Sequence, residues 1–227
     1  MPKKVIKKRK IKIFSILFII LIFILLYFLI KMVLSFRIKN IFITGTSHLN
    51  DEYILNLAEI EDYPSYVMNF SWNIEKKLEK SPYIKEANVS KEFLGVVNIS
   101  IEENNVLFYK VYDQKYVLES FEEVNELLYD EVSPRIINYI PDLVYETFKT
   151  KFLALNKEAR SKISEVKYDP SEYDNSRFLL YMTDGNYAYV TLTKFDSINY
   201  YNEILPTLEG KKGIIYLDSG NHFQEFK

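Results

Sequence analysis

The chain has 227 residues, of which 48% are hydrophobic and 16% aromatic, and this composition excludes a disordered protein. It contains no cysteine, which excludes disulfides, thiol catalysis and cysteine-ligated metals. The formal net charge of -2 hides an uneven distribution, since eight of the 29 basic side chains lie before residue 32 and all 31 acidic ones follow residue 50. The larger part of the chain is therefore acidic, and a nucleic-acid-binding surface is not expected.

An unbroken apolar segment, IFSILFIILIFILLYFLI, follows the basic N-terminus. A helix rises about 1.5 Å per residue, so this segment covers about 27 Å, close to the thickness of the hydrocarbon core of a bilayer. A buried core helix rarely has so long an apolar run, and a cleaved signal peptide would end in small residues that LIKMVLSFRIKN lacks. We predict a transmembrane helix over residues 13–36, with a basic cytoplasmic tail, residues 1–12, and the remaining chain outside the cell.

The next segment, residues 37–103, begins with one strand and two helices. FRIKNIFITG is typical of a strand that ends at Gly45. NDEYILNLAEI predicts a helix capped by Asn50 or Asp51, and SWNIEKKLEKSP predicts a second helix capped by Ser71.

Two further strands complete this segment. In VVNISIEEN, Val97, Ile99 and Ile101 alternate with polar residues, which is the period of a half-buried strand. YIKEANVSKEF precedes it as a predicted partner, and the two are connected at Leu94-Gly95. The predicted order is β-α-α-β-β.

Residues 104–227 form a second predicted domain. VLFYKVYDQKYVLES predicts a hairpin around Asp113-Gln114, and RFLLYMTDGNYAYVTL predicts another with a two-residue turn at Asp184-Gly185. FDSINYYNEILPTLEG predicts a helix before the last strands. A longer helical pattern in PDLVYETFKTKFLALNKEARSKI places apolar residues at Leu143, Phe148, Phe152 and Leu155. Together these elements predict an α+β domain with a mostly antiparallel sheet and helices on one face.

Residues suited to catalysis are few. The two histidines, His48 and His222, are far apart in the sequence, and no G-x-S-x-G, H-E-x-x-H or phosphate-binding glycine loop occurs. Acidic pairs such as Glu102-Glu103 are interpreted as solvated carboxylates, although the sequence leaves a glycosidase-like pair open. We predict no catalytic, cofactor-binding or metal-binding residue, no small-molecule substrate and no enzymatic activity.

The sequence resembles the bacterial division proteins DivIB and FtsQ. The resemblance is carried by IKNIFITGTSHLNDEYI with its Gly45 turn, by Ser-Pro-Tyr-Ile before a hydrophilic strand, and by the closing Ile-x-Ile-Glu, in an order typical of their POTRA-type domain. GIIYLDSGNHFQEF is similar to the last strands of the Gram-positive members, and the resemblance covers nearly the whole chain. The chain departs from the family at Leu94-Gly95, where a proline is usual, and at EENNV.

The resemblance implies a non-enzymatic, single-pass membrane scaffold of the division machinery, concentrated at the septum, that helps to control septal peptidoglycan synthesis. Its implied partners are small bitopic proteins of the DivIC/FtsB and FtsL types, with the septal wall synthases as further candidates. The last strand is the implied binding edge, where a partner strand would gain main-chain hydrogen bonds. The predicted partner-binding residues are Leu217, Gly220, His222, Phe223, Gln224 and Phe226.

The period of the last strand separates its two phenylalanines. In GNHFQEF, His222, Gln224 and Phe226 are expected on one face, and Phe223 with its alternate neighbours on the other. One phenylalanine is therefore expected to pack on the core, and the other to be available to a partner.

Two other functions stay open from the sequence. The first is a general membrane-anchored POTRA-type module that acts as a chaperone or docking domain for exported proteins. The second is a wall-modifying enzyme with an unrecognised site. Localisation at midcell would separate the scaffold from the chaperone, and loss of activity on substituting a single carboxylate would be needed to support the enzyme.

Overall fold

The computed structural model describes residues 13–129 and 132–227, so the predicted tail, residues 1–12, lies outside the described residues. The chain forms two compact units. The first consists of residues up to 46, 50–81 and 86–101, and the second consists of 47–49, 82–85 and 102 onward.

The apolar N-terminal segment forms one long helix, α1, Ile13–Leu34. Over Ile16–Leu34 it is long and apolar enough to cross a membrane, and none of the other residues that the structure describes buries it. A core helix would be covered by its neighbours, whereas a transmembrane helix exposes apolar side chains on every side. The predicted transmembrane helix is confirmed, and it is the one such helix among the described residues.

The rest of the first unit has the predicted β-α-α-β-β order. Its elements are β1 (Asn40–Thr44), α2 (Asp51–Ala58), α3 (Ser71–Leu78), β2 (Ile84–Glu92) and β3 (Val96–Glu103). The sheet has the order β1-β3-β2, with β1 parallel to β3. Its core is made of apolar side chains from both helices and from β3, namely Ile54, Ala58, Ile74, Leu78, Val97, Ile99 and Ile101.

The caps of the two helices differ from each other. Asn50 caps α2, since its Oδ1 accepts the N–H of Tyr53 at 2.7 Å. The prediction that Ser71 caps α3 is wrong, because the helix begins one residue earlier than the pattern indicated and Phe70 occupies the cap position without a side-chain hydrogen bond.

The hairpin between β2 and β3 depends on a glycine. Leu94 and Gly95 both have positive φ, 71° and 88°. The N–H of Lys39 donates to the Gly95 carbonyl at 2.8 Å, and a Cβ on Gly95 would lie 2.9 Å from the carbonyl oxygen of Arg37. The close approach of this turn to the start of β1 therefore requires glycine.

The described residues of the second unit form nine strands and five helical segments. They are β4 (Val106–Lys110), β5 (Lys115–Leu118), β6 (Glu123–Val124), β7 (Arg135–Ile136), α4 (Asp142–Leu153), α5 (Lys157–Ser161), β8 (Ile163–Tyr168), β9 (Arg177–Met182), β10 (Tyr187–Thr191), a 3-10 helix (Leu192–Tyr200), α6 (Tyr201–Ile204), a second 3-10 helix (Leu205–Leu208), β11 (Gly213–Tyr216) and β12 (His222–Glu225).

These strands form one sheet in the order β12-β11-β10-β9-β8-β7-β4-β5-β6. Five of the eight strand pairs are antiparallel and three are parallel. The prediction of an α+β fold with a mostly antiparallel sheet is confirmed, and so is the hairpin around Asp113-Gln114, which joins β4 to β5.

Aromatic side chains fill the centre of the second unit. Five phenylalanines from two strands, α4 and the first 3-10 helix are fully buried, and their ring centres lie 4.9–6.3 Å apart: Phe108, Phe148, Phe152, Phe178 and Phe195. Burying one such side chain contributes about 2–3 kcal/mol. This cluster holds the helices against the sheet.

The helical pattern that begins at Pro141 is interrupted. Two helices form instead of one, because Asn156 begins a new helix by accepting the N–H of Ala159 at 2.6 Å. Leu155 is buried in the connection between them. Leu143 is 90% exposed, so its predicted place on the apolar face is wrong.

The helix predicted from Phe195 to Gly210 is also divided into short pieces. Two 3-10 segments flank α6, and Lys194 has a non-helical φ of -117° at a kink in the first. Residues 192–208 are hereafter the crossover segment, since they connect the parallel strands β10 and β11.

The β9–β10 hairpin has a longer turn than predicted. The N–H of Met182 donates to the carbonyl of Asn186 at 2.9 Å, and that of Gly185 donates to Met182 at 3.0 Å. The loop therefore has three residues instead of two. Gly185 has a φ of 90°, whereas Asp184 is not among the residues with positive φ.

The interpretation of Glu103 as a solvated carboxylate is wrong. Its carboxylate is almost fully buried in the second unit and accepts the backbone N–H groups of Ser47, His48 and Leu49 at 2.8–3.0 Å. Burial alone would raise the pKa of Glu103, but these three hydrogen bonds hold it below its ordinary value. The buried carboxylate of Glu103 thus fixes the position of residues 47–49 through hydrogen bonds.

The turn at Gly185 is open to a direct test. Valine at this position must take a positive φ, so Gly185→Val should lower the free energy of unfolding by about 1–3 kcal/mol. A clash is not the cause, because a Cβ would meet nothing within 4 Å. Gly185→Asn is the matched control, since asparagine tolerates this conformation. Thermal unfolding of the detergent-solubilised chain measures both, and equal midpoints for the valine variant and the parent would contradict the assigned turn.

Candidate partner-binding edge

The last three strands place β12 at the end of the sheet. β11 runs parallel to β10, and β12 returns antiparallel to β11 with Ile215 opposite Phe223. A Cβ at Gly213 would lie 2.1 Å from the carbonyl oxygen of Gln224 and 2.8 Å from the Phe223 ring. Only glycine allows the two strands to pair this closely.

A buried polar network fixes the start of β11. Asn186 is fully buried, its Oδ1 accepts the N–H of Gly213 at 3.0 Å, and its amide donates to the hydroxyl of Tyr201 at 3.2 Å. Tyr201 in turn donates to Asp184 at 2.9 Å. Burial would raise the pKa of Asp184, but the backbone N–H of Asn186, which donates to its carboxylate at 3.0 Å, and the Tyr201 hydroxyl keep that pKa below its ordinary value. The hairpin, the crossover segment and β11 are thus joined by hydrogen bonds in the interior.

The two phenylalanines of the last strand lie in different environments. Phe223 is half-buried and packs against the core. Phe226 is 41% exposed and lies on the opposite face, where its ring makes an edge contact with Tyr187 at 5.1 Å. The expectation that one phenylalanine packs inward is confirmed, and the structure identifies it as Phe223.

The main-chain N–H and C=O groups of β12 point alternately toward β11 and away from it. The N–H of Phe226 donates to the carbonyl of Lys212 at 2.9 Å, toward β11. Along an antiparallel pair, residues bonded to the partner alternate with residues whose main-chain groups point the other way. The N–H and C=O groups of Phe223 and Glu225 therefore point outward from the edge of the sheet.

A groove lined by both apolar and polar side chains lies beside this edge. It has a volume of about 590 Å³ and is formed between the crossover segment and the β11–β12 hairpin. Ile204 and Leu208 contribute from one side, and Ile215, Leu217 and Phe223 from the other. A strand that paired with β12 would have this groove on the core side of the edge.

The turn between β11 and β12 contains two of the predicted site residues. Gly220 has a φ of 78° in an exposed turn. Leu217 is only 3% exposed and belongs to the core, so it supports the turn from below and is not part of the exposed edge.

The outer face of the edge carries stacked rings that the sequence interpretation missed. His222 stacks on Tyr216 with ring centres 4.4 Å apart, and Tyr216 stacks on Tyr189 at 5.5 Å. Tyr216 also donates from its hydroxyl to Gln224 at 3.1 Å. Tyrosines at alternate positions of YAYVT were the available signal. His222, Gln224 and Phe226 thus share a face with tyrosines of neighbouring strands.

Charge contributes little to the exposed part of the edge. Glu225 and Lys211 form an ion pair at 3.2 Å in which both side chains are about half exposed. Such a pair is worth little in water. Deeper in the sheet, burial and the carboxylate of Asp169 raise the pKa of Tyr189, so Tyr189 remains a hydrogen-bond donor to Asp169 at 3.1 Å.

Metal ligands do not cluster within residues 13–129 and 132–227, where no group of three histidine, aspartate or glutamate side chains could hold an ion. His48 contacts the Glu103 carboxylate at 3.2 Å, while His222 is exposed on β12. The two histidines are thus used in separate local contacts.

Comparisons with known proteins identify relatives of this chain. Residues 36–104 match the family model described as POTRA domain, FtsQ-type. The chain is 32% identical to the cell division protein DivIB of Listeria monocytogenes, over 84% of this chain and 73% of the relative. It is 30% identical to DivIB of Bacillus anthracis over 98% and 85%, and 29% identical to that of Bacillus subtilis over 84% and 74%. The solved extracytoplasmic domain of DivIB from Geobacillus stearothermophilus aligns with 48% of this chain and 96% of its own, at 19% identity and a TM-score of 0.37.

The apolar helix, the POTRA domain and the sheet-rich second unit define a membrane-anchored protein with an extracytoplasmic domain that is related to cell division. The chain belongs to the DivIB family of bacterial cell division proteins.

The different environments of the two phenylalanines predict different effects on stability. Phe223→Ala removes a ring from the core and should lower the free energy of unfolding by about 1–3 kcal/mol. Phe226→Ala removes a more exposed ring and should cost less than about 1 kcal/mol. Denaturant unfolding followed by circular dichroism measures both, and a larger loss for Phe226→Ala would contradict the assignment of faces.

Proposed function

We propose that this protein is a non-enzymatic scaffold of the division machinery and that β12 is the edge at which it binds a partner. The proposed partners are small bitopic proteins of the DivIC/FtsB and FtsL types, with the septal wall synthases as further candidates. The proposed domain boundaries are residues 37–103 for the POTRA-type domain and 104–227 for the domain that carries the edge. Through these contacts the protein would help to control septal peptidoglycan synthesis.

The outward main-chain groups of Phe223 and Glu225 carry this proposal. An extended partner segment gains main-chain hydrogen bonds by pairing with such an edge, and alternate side chains supply specificity. An exposed edge is also an aggregation hazard, so a strand that is used in this way is expected to be short. β12 has four residues.

Side chains on both faces of β12 would contact the partner differently. His222, Gln224 and Phe226 would meet its side chains on the tyrosine-bearing face. Phe223 offers part of its ring to the groove, and Gly220 allows the turn that presents the strand. Leu217, which is buried, would act by supporting the turn.

Pairing through the main chain predicts an unusual effect of proline. Glu225→Pro removes an N–H that points outward, so the β11–β12 hydrogen bonds are preserved while one bond to the partner is lost and the partner strand is sterically hindered. We expect this variant to stay folded and to lose affinity at least about tenfold.

Glu225→Ala is the matched control, because it removes the carboxylate and its weak ion pair while it keeps the N–H. Calorimetry of the full chain in lipid nanodiscs against the purified partner measures both variants. Parental affinity for Glu225→Pro, with an unchanged melting temperature, would contradict main-chain pairing at this edge.

Localisation separates this proposal from a general chaperone for exported proteins. A scaffold of the division machinery should concentrate at midcell in dividing cells of its native host, whereas a general chaperone should be distributed around the membrane. A fluorescent protein fused to the N-terminus measures the distribution. A uniform signal through the division cycle would contradict the proposal.

A further inference from the structure

The end of the transmembrane helix is bonded directly to the first unit. The hydroxyl of Ser65 donates to the carbonyl of Leu34, the last residue of α1, at 2.8 Å. The N–H of Tyr66 donates to Phe36 at 2.8 Å, and the N–H of Ile38 donates to Pro64 at 3.0 Å. The loop that begins at Pro64 is therefore held at the end of the membrane-spanning segment.

The β2–β3 hairpin lies at the same end of the unit. Lys39, five residues after α1, bonds to Gly95 in the hairpin turn, and the hydroxyl of Tyr66 donates to the carbonyl of Glu92 at 2.8 Å. The tip of this turn carries two apolar side chains that face solvent, Phe93, which is 88% exposed, and Leu94. Leu94 also has a positive φ, a conformation that leucine rarely adopts.

A second group of exposed apolar side chains precedes and begins α3. Met68 lies in the loop that is bonded to α1, and Phe70 and Trp72 follow it. The rings of Phe70 and Trp72 stack with centres 6.2 Å apart, and Trp72 is 57% exposed. Lys91 ties this loop to the hairpin strand, since its ammonium donates to the carbonyl of Asn69 at 2.9 Å.

Basic residues predominate in these segments although the chain beyond α1 is acidic overall. Residues 31–39, 64–76 and 91–95 contain five basic side chains, Lys31, Arg37, Lys39, Lys76 and Lys91, against two acidic ones, Glu75 and Glu92. Several of these cations lie over aromatic rings: Lys39 over Phe36 at 5.5 Å, Lys76 over Trp72 at 5.2 Å and Lys91 over Tyr66 at 4.0 Å.

We propose that Met68, Phe70, Trp72, Phe93 and Leu94, here called the anchor-proximal surface, are seated in the headgroup region of the bilayer. Aromatic side chains favour the boundary between water and lipid, and basic residues beside it favour anionic headgroups. A bilayer also accounts for the exposed apolar side chains of Phe93 and Leu94 at the hairpin tip, since it supplies the apolar medium that water does not. The spanning helix brings the bilayer to this end of the unit whether or not any protein partner is present.

The sole tryptophan of the chain provides the measurement. The full-length protein is reconstituted in vesicles of phosphatidylcholine and phosphatidylglycerol, with and without bromine on the upper part of the acyl chains. Bromolipid should reduce Trp72 emission about twofold, and aqueous acrylamide should quench it weakly. The Trp72→Phe variant supplies the background emission.

A variant of the hairpin tip tests the rest of the surface. Phe93→Ser combined with Leu94→Asn removes the apolar tip, and asparagine accepts the positive φ of Leu94, so folding should be kept. This variant should lose most of the bromolipid quenching, whereas Leu143→Ser, which removes an equally exposed apolar side chain from the second unit, should keep it.

Three outcomes would overturn the proposal. One is strong acrylamide quenching of Trp72 without bromolipid quenching, which would place the surface in water. Another is protection of Trp72 from both quenchers, which would mean that protein, such as a second copy of the chain, covers the surface. The third is unchanged bromolipid quenching in the hairpin-tip variant.

Discussion

The second unit depends on the packing of five phenylalanines against one face of its sheet. Phe148 in α4 contacts rings from the sheet and from the crossover segment, so a single cluster holds both α4 and the crossover segment on the sheet. Because the helices cover the core face of the sheet, the opposite face carries half-buried tyrosines. β12 is the last strand at one end of the sheet. The candidate site is a consequence of this one-sided packing.

The crossover segment connects that core to the edge. Parallel strands need a crossover connection, and β10 and β11 are parallel, so residues 192–208 must pass over the sheet before β11 begins. The same segment supplies one wall of the groove and, through Tyr201, part of the buried network that positions Gly213. The crossover segment, which packs on the core, therefore also holds the groove and the start of β11 in place.

Local periodicity was sufficient for much of this fold. The apolar run of α1, the alternation of Val97 and Ile99, and the hairpin around Asp113 depend on neighbouring residues, and the structure has all three. The family resemblance added the edge position of the last strand, which periodicity alone does not give. The alternation along the last strand puts Phe223 and Phe226 on opposite faces, but it does not say which face is buried. The pairing of Phe223 with Ile215 identifies the face of Phe223 as the core side.

Errors arose where distant residues decide the outcome. Glu103 looks like a solvated carboxylate beside Glu102, but it is buried because three N–H groups more than fifty positions away point at it. Leu143 has helical spacing but is 90% exposed, whereas Phe148 and Phe152 of the same helix are buried. The stacking of Tyr216 with His222 likewise depends on a tertiary contact. The division of the pattern after α4 is different, because it follows from the local cap at Asn156.

The short length of β12 has a consequence for local stability. Its four residues are paired on one side only, and three of them are exposed, so this strand can open without unfolding the phenylalanine core. We therefore expect the amide hydrogens of residues 222–226 to exchange with solvent faster than those of β9 or β10. A bound partner strand would pair with the free side of β12, so that the ordering of β12 and the binding of the partner would be thermodynamically coupled.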